Sequence, residues 1–424
     1  MLTKAPRGTR DILPGEVERW LLLEDIARNL CCLYNYREIR TPIFEHTELF
    51  QRSVGEDTDI VAKEMYSFKD RSDRSLTLRP ENTASVVRAY LENKLFGLPQ
   101  PVKLYYIGPM FRYDRPQAGR YRQFHQFGVE AFGSLAPALD AEIISLAYEF
   151  YRRLGLNNIV LELNSIGCEN CRPRYRDLLK NFLETRKEKL CRDCRNRFIN
   201  NPLRVLDCKE AGCRSLLTGI PKIVTSLCPE CAAHFSSLKE ELTNMDIPYK
   251  INPFLVRGLD YYTKTVFEFT GESLGAQNSL GGGGRYDGLV ELCGGQPTPG
   301  IGFALGIERI LLACKGEKFK INPSLQVYVA VIDREADKIA GRLVKELRGM
   351  GISCDRDYLD RSLKAQLKQA GRLNAGLVVI LGGREMQEGK GIIRQMDSGK
   401  QETYPLAGMA EYIWKTREQE DSTK

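Results

Sequence analysis

Two runs rich in β-branched and aromatic residues, Val102–Phe111 and Arg122–Phe132, stand either side of a short polar loop, YDRPQAGRY. Pro and Gly in the loop break strand pairing, and a connection this short joins antiparallel neighbours rather than parallel ones. Strand periodicity then sorts the side chains. Phe124, Gln126, Gly128 and Glu130 share one face, while Gln123, His125, Phe127 and Val129 share the other. Further runs at Ser75–Leu78, Ile159–Leu163, Thr265–Phe269 and Pro299–Phe303 extend the pattern, so an α+β fold on an antiparallel sheet is expected. Ahead of them, Trp20, Leu23, Ala27 and Leu30 recur at three- and four-residue spacing and predict an amphipathic helix over 17–36. Pro42, in the EIRTP run, cannot donate to a ladder, so its strand lies at an edge or ends there.

The chain has 424 residues, two to three times the usual domain length of about 150, and should hold more than one core. Residues 168–231 interrupt the strand pattern with charged helical segments and eight of the thirteen cysteines, as an inserted domain would. After the polar connector GEKFKINPS, strands and helices alternate from LQVYVAVI to IIRQM, the rhythm of a separate α/β domain. The expected division is 1–167 and 246–320 for the two parts of a core, 168–245 for the insert and 321–424 for the last domain.

With 42% hydrophobic and 28% charged residues the composition is that of a soluble globular protein. The longest apolar stretches, such as Gly376–Leu381, fall far short of the roughly 20 residues that cross a bilayer, and the start MLTKAPRGTRDILPGE has no apolar signal core. Reduced thiols and a cytoplasmic location are therefore expected, with no membrane partner. Net charge is +7, and residues 168–231 carry fourteen Lys/Arg against eight Asp/Glu. That concentration suits a polyanionic partner, since basic side chains displace counterions condensed on a phosphate backbone.

Four segments carry candidate chemistry. On the hairpin, an aromatic ring (Phe124), an amide (Gln126) and a carboxylate (Glu130) line one surface, and Arg112 at the end of the partner strand offers a planar fork for phosphate or carboxylate. In PFLVRGLDYYTKTVFEF, Arg257 precedes Asp260, Tyr261 and Tyr262, and could stabilise charge developing on a phosphate. The glycines of SLGGGGRYDGL would let a ligand lie against bare backbone, though without the spacing of a dinucleotide fingerprint or P-loop. TPGIGFALGIERILL places small residues before a helix bearing Glu308 and Arg309.

The order of these segments resembles the class II aminoacyl-tRNA synthetases, and among them the histidyl-tRNA synthetases. The Pro42 region is similar to motif 1, the hairpin from Phe111-Arg112 to Glu130 to motif 2, and Gly306–Arg309 to motif 3. VRGLDYYTKTVFEF and LGGGGRYDGL resemble the two peptides peculiar to the histidine enzymes, and RGTRDILPGE and NPLRVLDCK extend the likeness over nearly the whole chain.

The resemblance implies a class II catalytic core, an insertion domain and a C-terminal α/β anticodon-binding domain. It implies a histidine–tRNA ligase that joins L-histidine to ATP as histidyl-adenylate, releases pyrophosphate and passes the histidyl group to the 3′ end of tRNA(His), acting as a homodimer joined through the motif 1 region, with Mg2+ accompanying the nucleotide. By the family's pattern Arg112 holds the α-phosphate, Phe124 stacks on adenine, and Glu308 and Arg309 complete the ATP site, Arg309 at the γ-phosphate. Arg257 neutralises charge at the α-phosphate during attack. Glu81, Asn82, Thr83 and Gln126 take the α-ammonium, and Arg112 and Arg257 also belong to the histidine-binding set. Glu130 and Tyr262 bracket the imidazole nitrogens beside Tyr261, and Arg115 and Arg120 approach the tRNA acceptor end, where the family reads an extra 5′ guanylate. The basic insert lies against the acceptor arm. Asp114 stands where the class usually has Glu and Asn82 where many relatives have Gly, which implies altered fine geometry. An alternative is a non-catalytic synthetase-like regulatory subunit of histidine biosynthesis; that relative typically lacks the C-terminal domain and departs from the catalytic peptides.

The insert also holds three C-x2-C pairs, Cys168/Cys171, Cys191/Cys194 and Cys228/Cys231, and the looser Cys208/Cys213. Such knuckles suit structural Zn2+, and four pairs can make two all-thiolate sites in three alternative pairings; the rival reading is a small domain packed on reduced thiols. None of His46, His125 and His234 reads as catalytic, and His234 is at most an outlying ligand.

Overall fold

The computed structural model describes residues 3–55, 58, 60–271, 278–314 and 325–421. They form two compact units, residues 1–319 and 320–424. The expected connector at 316–324 lies outside the described residues.

The first unit is built on an eight-stranded sheet in the order Arg37–Glu38, Val102–Phe111, Gln123–Phe132, Gly300–Gly306, Ser279–Arg285, Thr263–Gly271, Ile159–Ser165, Tyr249–Ile251. The six central strands pair antiparallel, and each edge strand is parallel to its neighbour. The hairpin keeps one unbroken register from Val102↔Phe132 to Phe111↔Gln123, so the sequence alternation survives intact.

One sheet face is apolar and covered. Phe127, Val129, Phe267, Phe269, Ile301, Phe303 and Leu305 pack against Trp20, Leu23, Ala27 and Leu30 of the helix Val17–Leu33 and against Ile143, Ile144, Ala147 and Phe150 of the helix Pro137–Arg153. Each large side chain fully buried there contributes about 2 kcal/mol, which fixes which way the sheet faces. The stripe read over 17–36 thus closes the protein's own core, and its helix ends at Leu33.

The opposite face meets the insert through its helices at Arg172–Glu184, Arg192–Asn200 and Ala211–Leu216, while the helix Pro229–Asn244 buries Phe235, Leu238 and Leu242 in the first face's core. Tyr175, Leu179 and Leu183 belong to the same apolar cluster as Tyr106, Tyr261, Tyr262 and Tyr286. Insert and sheet therefore share one core on this side.

The chain after the first edge strand turns at Pro42 into a three-stranded sheet of Phe44–His46, Ser75–Leu78 and Tyr66–Lys69. The buried Arg79 guanidinium pins this turn, donating to the carbonyls of Thr41 and Pro109 at 3.1 and 2.9 Å.

A buried charge network ties the first unit's helices to its sheet. Asp140 accepts Arg285 Nε at 2.8 Å and Thr265 Oγ1 at 2.6 Å, and lies 2.9 Å from His234 Nε2. His234 is thereby engaged with Asp140 rather than with the cysteines.

The second unit has a mixed five-stranded sheet, Cys354–Arg356, Val327–Val331, Leu377–Leu381, Lys390–Gln395, Gln401–Pro405, with helices Asp337–Gly349, Leu363–Arg372 and Met409–Asp421. The last strand is polar and exposed along most of its length and carries no clear sequence signal, whereas the helix Met409–Asp421 buries Met409, Ala410 and Ile413 in this unit's core.

Candidate active site

The insert-facing side of the sheet opens into two hollows that share a border. The larger, of about 1060 Å3, is lined by Arg112, Arg120, Phe124, Arg257, Glu268, Glu308 and Arg309 among others. The smaller, of about 140 Å3, is lined by Glu81, Thr83, Glu130, Tyr261, Tyr262 and Tyr286. Arg112, Gln126, Arg257 and Ala304 line both, so the hairpin, the Arg257 segment and the strand Gly300–Gly306, far apart in sequence, meet at one border.

Arg112 is held by its Nε donating to the Pro80 carbonyl at 2.8 Å, and its guanidinium carbon lies 5.5 Å from the Phe124 ring centre. Arg257 donates from Nη1 to Glu268 Oε1 at 2.8 Å, and Ser279 Oγ donates to the same oxygen at 2.7 Å. Both cations are therefore aimed before any ligand arrives, the condition for stabilising developing charge without reorganisation.

In the smaller hollow Glu130 is enclosed by hydroxyls. Thr83 Oγ1 donates to Oε1 at 2.7 Å, Tyr106 donates to the same oxygen at 3.4 Å and Tyr286 donates to Oε2. Burial pushes its pKa up to about 8; the Tyr286 and Thr83 hydroxyls oppose that rise and the nearby Glu81 charge adds to it. Glu81 starts the helix Thr83–Glu92, accepting the backbone N–H groups of Thr83 at 2.7 Å and Ala84 at 3.0 Å. Burial raises Glu81 too, while those amides hold it down. Two carboxylates and three tyrosine rings make this hollow suited to a small cation with polar ring atoms.

Neighbouring glycines keep it open. A Cβ on Gly128 would lie 2.2 Å from the Tyr106 ring, and one on Gly302 would lie 2.0 Å from Glu130 Oε2. The run Gly281–Gly284 is a paired strand, and a Cβ on Gly283 would meet the Gly302 carbonyl at 1.9 Å. Gly281 and Gly282 do present backbone to the hollows, but close strand approach demands the run as well.

Family models described as "Histidyl-tRNA synthetase" and "Anticodon binding domain" match residues 8–171 with 216–310, and 326–416. The histidine–tRNA ligase of Desulforamulus reducens is 56% identical over 415 residues, covering 97% of this chain and 99% of its own. The chain belongs to the histidyl-tRNA synthetase family. The apo histidyl-tRNA synthetase of S. aureus superposes with a TM-score of 0.83 at 42% identity, covering 97% of this chain and all of its own. A Bacillus halodurans C protein titled ATP phosphoribosyltransferase regulatory subunit/histidyl-tRNA synthetase shares the fold at a TM-score of 0.66 and 23% identity, covering 90% of this chain. With ligases at such identity over nearly the full length, the regulatory alternative is not favoured.

Against this family background, most of the residues singled out in sequence converge on the two hollows, and three stand apart. Asn82 lines neither: its Oδ1 accepts Thr41 Oγ1 at 2.8 Å and Arg79 Nη1 at 3.2 Å, supporting the turn at Pro42. Arg115 is exposed on the hairpin loop outside the cleft lining, whereas Arg120 lines the cleft, 3.4 Å from Asp114. Glu308 borders the cleft, yet its oxygens face the His125 backbone N–H at 2.9 and 3.0 Å, and Oε1 lies 3.0 Å from the His125 ring. His125 itself sits on the apolar side, edge-on to Trp20, as alternation required.

Tyr106, Tyr286 and Glu268 were missed. Tyr106 faces Gly128 across the hairpin, a pairing readable from the loop; Glu268 lies in one strand and Tyr286 directly follows another, and no local pattern reveals the register of either.

The eight insert cysteines form two sets, Cys168/Cys171/Cys228/Cys231 and Cys191/Cys194/Cys208/Cys213, each with all sulfurs within 4.8 Å of one another. Of the three pairings open in the sequence, the fold selects this one.

Proposed function

We propose that the border between the two hollows is where the carboxylate of L-histidine attacks the α-phosphorus of ATP, forming histidyl-adenylate and expelling pyrophosphate, before the 3′-terminal ribose hydroxyl of tRNA(His) takes the histidyl group. The protein is a histidine–tRNA ligase, and the chemistry asks for positioning and charge neutralisation rather than a protein nucleophile. What carries the reading is that Arg112, Gln126 and Arg257 belong to both hollows, so an amino acid in the smaller and a nucleotide in the larger would meet at two guanidinium groups.

In this reading histidine enters ring first. Glu130 accepts an imidazole N–H, Tyr262 takes the other ring nitrogen beside Tyr261, and Glu81, Thr83 and Gln126 receive the ammonium. Any side chain lacking both ring nitrogens would leave buried Glu130 or Tyr262 unpartnered, which is how a polar pocket rejects competitors strongly. Phe124 stacks on adenine, Arg112 and Arg257 take the α-phosphate, and Arg309 takes the γ-phosphate. Magnesium bound with the nucleotide would neutralise part of the triphosphate charge, and Asp207 on the cleft wall would offer it a carboxylate oxygen. Glu308 acts at one remove, holding the strand through His125.

Arg115 and Arg120 meet the acceptor end, the basic insert its arm, and residues 321–424 the anticodon. Homodimerisation through the motif 1 region is supported by exposed Phe44 and Phe68, whose rings pair 6.5 Å apart on the small three-stranded sheet. No described helix is long and apolar enough to cross a membrane, and a cytoplasmic site of action fits a translation enzyme.

Amino-acid-dependent exchange of pyrophosphate into ATP tests the reading. Exchange with histidine and with no other proteinogenic amino acid is expected; exchange driven by another amino acid would overturn it.

A further inference from the structure

We propose that each four-sulfur set holds one zinc ion, and that the second, on Cys191, Cys194, Cys208 and Cys213, fixes the insert's wall of the nucleotide cleft. Only the last clause rests on the function proposed above.

Tetrahedral zinc–thiolate bonds of about 2.3 Å put neighbouring sulfurs about 3.8 Å apart. Cys168 and Cys171 sulfurs lie 3.8 Å apart, Cys168 and Cys228 3.9 Å, and Cys191 and Cys208 3.9 Å. A disulfide would draw a pair to about 2.05 Å, and all eight are free thiols. Four sulfurs spaced round a common centre are what a closed structural zinc site requires.

Backbone donors are in place for charged sulfur. The Cys228 N–H donates to Cys171 Sγ at 3.0 Å, the Cys191 N–H to Cys213 Sγ at 3.1 Å, and the Cys194 N–H to Cys191 Sγ at 3.4 Å. Such outer contacts orient metal ligands and stabilise their charge. In each set at least two of the four cysteines are buried, which shields much of the centre from solvent. Soft, tetrahedral, all-thiolate surroundings select zinc or iron, and a closed mononuclear site of this kind is the structural zinc type.

The second set stands at the cleft. Cys208 lines it together with Leu206, Asp207, Lys209 and Arg214, so the wall segment runs between and beside ligands of one centre. All four of these cysteines also fall between the two segments matched by the synthetase family model, 8–171 and 216–310. The first set instead anchors the strand that follows Tyr261 and Tyr262: the Gly167 carbonyl, one residue before Cys168, accepts Lys264 N at 2.9 Å and Thr263 Oγ1 at 3.2 Å.

Elemental analysis of the full-length protein, purified without chelator, should find two zinc ions per chain, one for each set. The double variants Cys168→Ser/Cys171→Ser and Cys191→Ser/Cys194→Ser should each lose half of the zinc, with circular dichroism reporting folding. Should a variant fail to fold, a mercurial titration of the wild-type protein with a chromogenic chelator should release the same two ions. Zinc absent from the wild-type protein, a single ion, or iron in its place would overturn the assignment. For the wall, amide hydrogen exchange of residues 204–214 in the wild-type protein should quicken when zinc is stripped; unchanged exchange would sink that part. Metal content is independent of catalysis, so a failure of histidine-dependent exchange would leave the zinc count standing and strike only the functional reading.

Discussion

Arg257 and Glu268 form an ion pair inside the cleft, Nη1 to Oε1 at 2.8 Å, with side chains 20% and 23% exposed. Glu268 is eleven residues further along and on a sheet strand, so it sets the direction of a cation that a loop alone would leave free. Replacing Arg257 by Ala should cut histidine-dependent pyrophosphate exchange about 100-fold or more while the thermal unfolding curve is preserved, the usual effect of deleting a preorganised charge stabiliser. Glu268→Gln should lower kcat about tenfold with a smaller change in the KM for histidine, because only the aim of Arg257 is lost. An unchanged kcat in Glu268→Gln would remove Glu268 from any positioning role.

Glu130 gives a pH signature. Its pKa rises from an ordinary 4.5 to about 8 because burial disfavours the charge. The native state therefore binds the proton more tightly than the unfolded chain, and stability is complete below the ordinary value and declines as pH climbs towards the raised one. Glu130→Gln should flatten that decline in thermal melts taken across the same window. Histidine affinity should improve as Glu130 ionises and can accept an imidazole proton, and calorimetric titration of Glu130→Gln should lack that upper limb.

Asp140 carries the structural counterpart. It is wholly buried, as is Arg285, and Arg285 Nη2 lies 2.7 Å from its Oδ1. Asp140→Asn should destabilise the fold by about 3 to 5 kcal/mol, since a buried guanidinium loses its compensating charge. Denaturant unfolding measures this directly; a loss below about 1 kcal/mol, the worth of an exposed pair, would show that Asp287 alone suffices.

Gly128→Ala would push a methyl group into the Tyr106 ring, whose hydroxyl reaches Glu130. The ring must move, so the KM for histidine should rise about tenfold while the KM for ATP stays close to wild type. Overpacking at this depth should also cost about 1 to 3 kcal/mol of stability. Equal changes in both KM values would mean that the two hollows do not act separately.

Arg174, Arg176, Arg192 and Arg195 are exposed on the insert and lie outside the cleft lining. Converting all four to Ala should weaken tRNA charging, reduce its salt dependence and leave pyrophosphate exchange intact, as expected for contacts to phosphate. Loss of exchange in parallel with charging would place these residues in the first chemical step instead.

The hairpin shows how much local pattern can carry. Period-two alternation correctly separated Glu130 and Gln126 from Phe127 and Val129, because backbone pleating imposes it whatever the partner strands do. Turn residues and β-branched or aromatic runs locate the strands, and apolar side chains three and four residues apart locate the helix that begins at Val17, because each period is that of the backbone itself. In the sequence the run Gly281–Gly284 points to a ligand alone; cross-strand contact with Gly302 is the additional cause.

By itself, the order of residues along the chain determined the family, the alternating faces and the three arginines, all of which depend on local chemistry and spacing. Tertiary structure alone decided that Glu130 is roofed by Tyr106 and Tyr286, that Glu308 and Asn82 turn to other partners, and which cysteines gather in which set. Those outcomes depend on strand register and on segments packing across long separations. Such contacts are fixed by the burial of the whole core, and no periodicity within one segment encodes them.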